Sequence, residues 1–220
     1  MSRTGDTLHR AFFGLMSRVP LPGMLGGYFD WRHRRPDPWR YTTDPYERER
    51  HVATLGRLPE RDYRRILDVG CSEGTFTDLV ATSFPRAETT GVDISAHAIR
   101  AASARKASPA RFARLDIRRQ LPSGSFDLVI CTEMLYYLGD SAQLREVSSR
   151  IRGLLTPGGL LAVAHPWPES GRLHRHFAAD SLLTSESEHV LMDERRPFAI
   201  ALFERRPRPA GEGPRARPPA

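Results

Sequence analysis

Arg65 to Phe76 reads RILDVGCSEGTF, and the fold turns on this stretch. A short apolar run ends at Val69, Gly70 and Gly74 frame a small polar turn, and helical spacing starts at Thr75. A strand, glycine turn and helix in that order bring bare main chain close to a ligand, because glycine takes positive φ without steric cost. A dinucleotide loop carries G-x-G-x-x-G. Here Ser72 and Glu73 break that pattern, and the Glu73 carboxylate would face the pyrophosphate. The loop suits a ligand without phosphates.

Downstream, the runs AETTGVDI, ARFARLDI, FDLVICT and LLAVAH alternate with helical patterns over residues 75–84, 96–107 and 141–155. Upstream, Val52, Leu55 and Leu58 mark a helix leading into the domain. The alternation predicts an α/β fold, a parallel sheet with helices on both faces. EHVLMDE and FAIALFE, parted by a turn containing Pro197, predict an antiparallel hairpin closing the sheet. Ligands of such sheets lie beyond the carboxyl ends of the strands, where the strand order reverses. Asp68, Asp93, Asp116 and Glu133 all fall at or beside such ends. Asp93, 23 residues after Gly70, is spaced to accept two ribose hydroxyls, and Asp116 to take an adenine amino group. Asp68 and Glu73 suit a cationic ligand bearing an ammonium and a sulfonium. S-adenosylmethionine has all of these parts.

Together LDVGCSEGTFT, GVDIS, RLDI, FDLVICTEMLYYL and LTPGGLLAVAHP resemble the class I S-adenosylmethionine-dependent methyltransferases over residues 65–204. DPWRYTTDPYERERHVATL, residues 37–55, further resembles the signature of the nodulation protein S N-methyltransferases. The resemblance implies a Rossmann-like, mostly parallel seven-stranded sheet with an antiparallel last strand. It implies methyl transfer from S-adenosyl-L-methionine, leaving S-adenosyl-L-homocysteine, to a nitrogen or oxygen of a small molecule such as an amino sugar or a sugar-containing natural product. Carried over residue by residue, it puts Asp68, Gly70, Cys71 and Gly74 around the methionine part and Asp93 on the ribose. Ile94 lies beside the adenine, Asp116 and the Ile117 amide read its edge, and Thr132 and Glu133 border the reacting centre. Trp39, Tyr41 and Tyr46 cover the cofactor, where an aromatic face attracts a sulfonium by ~1–2 kcal/mol.

An acceptor hydroxyl or ammonium must lose a proton, and Glu133, His165 and His174 are the expected catalytic groups. Trp167, Arg172, Arg175 and Phe177 lie in the segment expected to shape the acceptor pocket. No metal is expected, since Tyr136 and Tyr137 stand where metal-using relatives of this fold place further ligands. Cys71 and Cys131 form no disulfide framework and read as small buried thiols of a cytoplasmic protein. The formal charge of +7 sits on the ends: residues 1–40 and 205–220 carry +4 each, which leaves residues 41–204 at −1. That distribution fits solvated arms better than a nucleic-acid face. The expected domains are an N-terminal helical lid over residues 1–60, the cofactor-binding domain over 61–205, and a disordered basic tail over 206–220. LHRAFFGLM is too short and too interrupted by arginine for a membrane segment and reads as lid or packing helix. Two other readings stay open: an RNA or protein methyltransferase docking through the basic ends, and a domain that binds the cofactor without turnover.

Overall fold

The computed structural model describes residues 23–193 and 196–207. LHRAFFGLM and residues 208–220 of the basic tail lie outside the described residues. In chain order come α1 (Met24–Arg32), α2 (Pro45–Leu55), β1 (Arg65–Val69), α3 (Thr75–Ser83), β2 (Glu88–Asp93), α4 (Ala96–Ser103) and β3 (Arg111–Arg114). They are followed by β4 (Phe126–Thr132), a 3-10 turn (Leu135–Tyr137), α5 (Ser141–Leu154), β5 (Leu155–Pro166), α6 (Glu169–Ala178), β6 (Leu183–Leu191) and β7 (Phe198–Arg205). One seven-stranded sheet runs β3-β2-β1-β4-β5-β7-β6. β1 to β5 are parallel, and β7 lies antiparallel between β5 and β6. This is the Rossmann-like sheet expected, and its last strand in sequence is inserted beside β5 rather than left at the edge.

Side chains that alternate along β1 build two cores. Leu67 and Val69 join Val129 and Cys131 of β4 against Leu144, Val147 and Ile151 of α5. Ile66 joins Leu128 and Ile130 against Phe76 and Val80 of α3. Burial on both faces is what makes parallel strands read as continuous apolar runs. The strand order reverses between β1 and β4, so a crevice opens above their carboxyl ends.

The extents of two elements were not written in the sequence. Within the span expected as a helical lid, α1 forms although its MLGGYFDWR carries no apolar stripe. Tertiary contacts hold it instead: Leu25 and Phe29 pack on Tyr137. Asp30 Oδ1 accepts from Ser95 Oγ at 2.8 Å and from the His97 amide at 3.2 Å. The segment after β5 forms α6, whose Leu173 and Phe177 sink into the core. By contrast α2 is written locally, with Asp44 capping the Tyr46 amide at 3.1 Å and Pro45 in the first turn.

Candidate functional site

The crevice is walled by the ends of β1 to β4 and roofed by the segment around α1. Its walls include Gly70 and Ser72 from the glycine turn, Asp93 and Ile94 after β2, Asp116 and Ile117 after β3, Glu133 after β4, and Phe29, His33, Trp39, Tyr41 and Tyr137 above. Gly70 sits at φ +84, and a Cβ there would stand 3.0 Å from the Met134 side chain, so bare backbone is needed. Gly74 starts α3 at φ +81, where a Cβ would lie 2.7 Å from the Phe112 ring. Gly74 therefore acts in packing and does not reach the crevice.

Asp93 is the hinge of this rim. Its Oδ2 accepts from the Ser72 amide at 3.0 Å and its Oδ1 from the Ser95 amide at 2.8 Å, tying the glycine turn to the start of α4. Each oxygen keeps further lone pairs for a ligand hydroxyl. Burial lifts its carboxyl above the ordinary range, with the two amides opposing. Ile94 and Ile117 provide apolar surface on either side, and the buried Ser72 hydroxyl has no hydrogen-bond partner.

Three expectations change here. Asp116 lines the crevice, but both its carboxylate oxygens are taken by Arg118, at 2.9 and 2.7 Å. Burial raises that carboxyl and Arg118 outweighs it, leaving it below the ordinary value. Glu73, expected to meet a cationic ligand, instead accepts from the Asp37 amide at 3.2 and 3.0 Å and lies 3.3 Å from His33 Nδ1. It ties the covering segment to the glycine turn. Asp68 also leaves the ligand side: it sits under the turn, accepts from Thr77 Oγ1 at 2.6 Å, and burial pushes it up to about 6.

On the other rim Glu133 adopts φ +54, a left-handed conformation that costs about 1–3 kcal/mol for a non-glycine residue. Its amide donates to the Ala164 carbonyl at 3.0 Å, and its Oε2 accepts from the Tyr136 hydroxyl at 3.1 Å. Oε1, buried and without a hydrogen-bond partner, faces Arg50 Nη1 at 3.7 Å. Arg50 closes on Glu47 at 2.7 Å, Glu47 on Arg196 at 3.1 Å, and Arg196 on Asp44 at 2.9 Å. Charges thus alternate from the β6–β7 turn to the crevice, with one carboxylate in excess. Burial raises the Glu133 carboxyl, and Arg50 holds part of that rise back. Sequence reasoning missed Arg50, although the i,i+3 spacing of Glu47 and Arg50 on a helix was a usable signal.

The remaining expected residues are not brought to the crevice walls. Cys71 is buried behind the turn against Gly91. Thr132 pairs in register with Ala164 at the end of β4. Tyr46 lies in a separate groove between α2 and β7, its hydroxyl on the Arg196 carbonyl. His165 and His174 are buried under the Leu135–Tyr137 turn, so neither can reach an acceptor as a base. Leu173, His174 and Phe177 turn inward from α6 while Arg172 pairs with Glu169, so this helix supports the rim rather than lining it.

Residues 67–161 match the family model described as a methyltransferase domain. Nodulation protein S of Bradyrhizobium diazoefficiens is 31% identical over 165 residues, 73% of this chain and 78% of that protein. Trans-aconitate 2-methyltransferase of Methylobacterium radiotolerans is 38% identical over 151 residues, 68% of this chain and 55% of that protein. The crystal structure of the N-methyltransferase NodS from Bradyrhizobium japonicum WM9 in complex with S-adenosyl-L-homocysteine is 25% identical with a TM-score of 0.71, covering 82% of this chain and 97% of that one. The chain spans about half the length of the first curated relatives it matches, 53% and 55%.

Proposed function

Because this chain belongs to the class I S-adenosylmethionine-dependent methyltransferases, within the nodulation protein S family, we propose that it methylates the nitrogen of a small-molecule amine, an amino sugar or a sugar-containing natural product. The crevice fits the cofactor by its chemistry: a carboxylate for two hydroxyls, apolar surface for a flat heterocycle, a bare glycine turn and an unpartnered buried hydroxyl. In this reading Gly70 and Ser72 flank the methionine part, Asp93 takes the ribose, and Ile94 and Ile117 contact the adenine. Trp39 and Tyr41 cover it. When bound, S-adenosylmethionine supplies a methyl group on a sulfonium that leaves as a neutral sulfide.

The protein's own part is alignment, exclusion of water and handling of a proton. Alignment of two reactants can be worth ~7–11 kcal/mol, and Phe29, Trp39, Tyr41 and Tyr137 supply an aromatic roof suited to excluding water once the ligands are bound. The observation that carries the amine is Glu133 at the crevice wall, in a charge chain with one carboxylate in excess, its buried Oε1 holding no hydrogen-bond partner and only a 3.7 Å ion pair with Arg50. It suits an acceptor ammonium as counter-charge, and its raised carboxyl suits the receipt of that ammonium's proton before the nitrogen attacks. A carboxylate acceptor, suggested by the trans-aconitate relative, would meet Glu133 as a like charge.

The test is incubation of the purified chain with methyl-labelled S-adenosylmethionine and separate pools of amino sugars, hydroxylated products, carboxylic acids and RNA. Label on an amine nitrogen supports the reading. Label confined to carboxylic acids or RNA overturns it, and tight S-adenosylhomocysteine binding with no labelled product identifies a binding domain without turnover.

A further inference from the structure

His165 and His174 are the only histidines of β5 and α6 that face one another in the core, and the amine reading gives them no contact with the acceptor. Their hydrogen bonds nevertheless end on the turn that follows Glu133. The Leu135 amide donates to His165 Nε2 at 3.3 Å. An amide can only donate, so this Nε2 is bare and the His165 proton sits on Nδ1. That Nδ1–H points at His174 Nε2, 3.0 Å away, which must then be bare in turn. The His174 proton is thereby placed on Nδ1, a buried atom with no hydrogen-bond partner, 3.9 Å from Glu188 Oε1 on β6. One donor fixes two tautomers in sequence.

The other end of the chain of bonds is the strained rim. Glu133 and Leu135 donate their amides to consecutive positions of β5, one to the Ala164 carbonyl and one to the His165 ring. Between them lie the φ +54 backbone of Glu133 and the start of the 3-10 turn whose Tyr136 bonds the Glu133 carboxylate. A left-handed non-glycine residue persists only where its surroundings over-determine it. From these contacts we infer that His165 and His174 are positioning residues: a tautomer-locked pair that holds the Leu135–Tyr137 turn and so aims Glu133 at the acceptor. The inference rests on the proposed role of Glu133 and adds to it a support from outside the crevice. Both imidazoles stay neutral at physiological pH because burial disfavours the charged form, His174 being pushed down to about 4.

The lock has a signature that needs no substrate. In ¹⁵N spectra of histidine-labelled full-length protein at pH 7, both rings are expected as Nδ1–H tautomers. His174→Gln keeps an acceptor oxygen where Nε2 stands, and His174→Leu removes it. The expected result is Leu135 amide exchange accelerated about tenfold in His174→Leu and unchanged in His174→Gln. With an amine acceptor in hand, kcat falls about tenfold in His174→Leu at unchanged S-adenosylhomocysteine affinity, and His174→Gln restores it. An Nε2–H tautomer on either ring overturns the lock. Equal kcat in His174→Leu and the parent overturns the positioning role even where the lock is seen. If His174→Leu fails to fold, the tautomers and His174→Gln decide the same question: Nδ1–H tautomers with parent-like kcat in His174→Gln support the lock, and a loss of kcat in His174→Gln overturns it. Failure of the amine reading appears separately, as label on another acceptor, and leaves the tautomer result intact.

Discussion

The two rims of the crevice are built on different physics. On the β1–β3 side the parts are local: the glycine turn, Asp93 at a strand end, and a cap residue two positions on bind each other through main-chain amides at 2.8–3.0 Å. On the β4–β5 side one carboxylate, Glu133, meets Arg50 from α2 and the tyrosine three residues on, and the turn that follows it is bonded to a histidine from β5. The first rim, the one proposed for the cofactor, is defined by few residues and short connections. The other, proposed for the acceptor, is assembled from distant segments, and changes far from the crevice should reach it.

The two rims differ most at Glu133. Glu133→Gln keeps the shape and removes the charge and the proton acceptor, so kcat is expected to fall by about 10²- to 10⁴-fold. Calorimetric affinity for S-adenosylhomocysteine should stay within about threefold, since the cofactor rim does not use Glu133. A comparable loss in both quantities would mean that the two rims are one unit.

The buried groups beneath the two rims respond to acid in opposite directions. Asp68 titrates near 6 when folded against 3.8 as a free side chain, so the folded protein binds its proton more tightly. Stability from this group therefore rises as pH falls from about 6 to about 4. His174 is lowered from 6.5 to about 4, so its contribution is present above pH 6.5 and is lost as pH falls towards 4. Each effect is worth up to about 3 kcal/mol at full swing. Thermal melts between pH 7.5 and 4.5 should show Asp68→Asn losing more stability on acidification than the parent, and His174→Gln losing less. Parallel curves for all three would remove both assignments.

Much of this division was visible in the sequence, and for a physical reason. Each strand carries its own apolar run, and each strand-end carboxylate stands at a fixed offset from a glycine or a helix start. The sheet, Gly70, Asp93 and Glu133 could thus be placed from spacing alone. What escaped are contacts across long separations: Arg50 to Glu133, Glu73 to Asp37 and His33, and the ring-to-ring bond of His165 and His174. Asp68 and Cys71 carry the same motif as Gly70, yet strand alternation turns Asp68 to the α3 side. Motif membership and contact with the crevice are separate properties. The histidines followed the opposite course, placed correctly near the rim but beneath it.

Asp93→Ala sharpens the cofactor side. It removes the ribose acceptor and the tie between the Ser72 and Ser95 amides, bonds of the charged type worth about 1.5–3 kcal/mol. Affinity for S-adenosylhomocysteine should fall by about 10- to 100-fold in calorimetry, while melts of the unliganded protein move by only a few degrees. Unchanged affinity would take the ribose away from Asp93.

The smallest effect tests whether the covering segment belongs to the cofactor rim at all. Glu73 stands within the glycine turn and holds the segment above it by the Asp37 amide and His33. Glu73→Gly deletes those ties but leaves Phe29 packed on Tyr137 and Asp30 on α4. A partly buried carboxylate bond of this kind contributes about 1 kcal/mol, so S-adenosylhomocysteine should bind about fivefold more weakly at unchanged kcat. If affinity is unchanged, aromatic packing alone keeps the roof in place. If kcat falls with it, the roof also orders the acceptor rim, and Tyr137, which touches both, becomes the residue through which the two rims communicate.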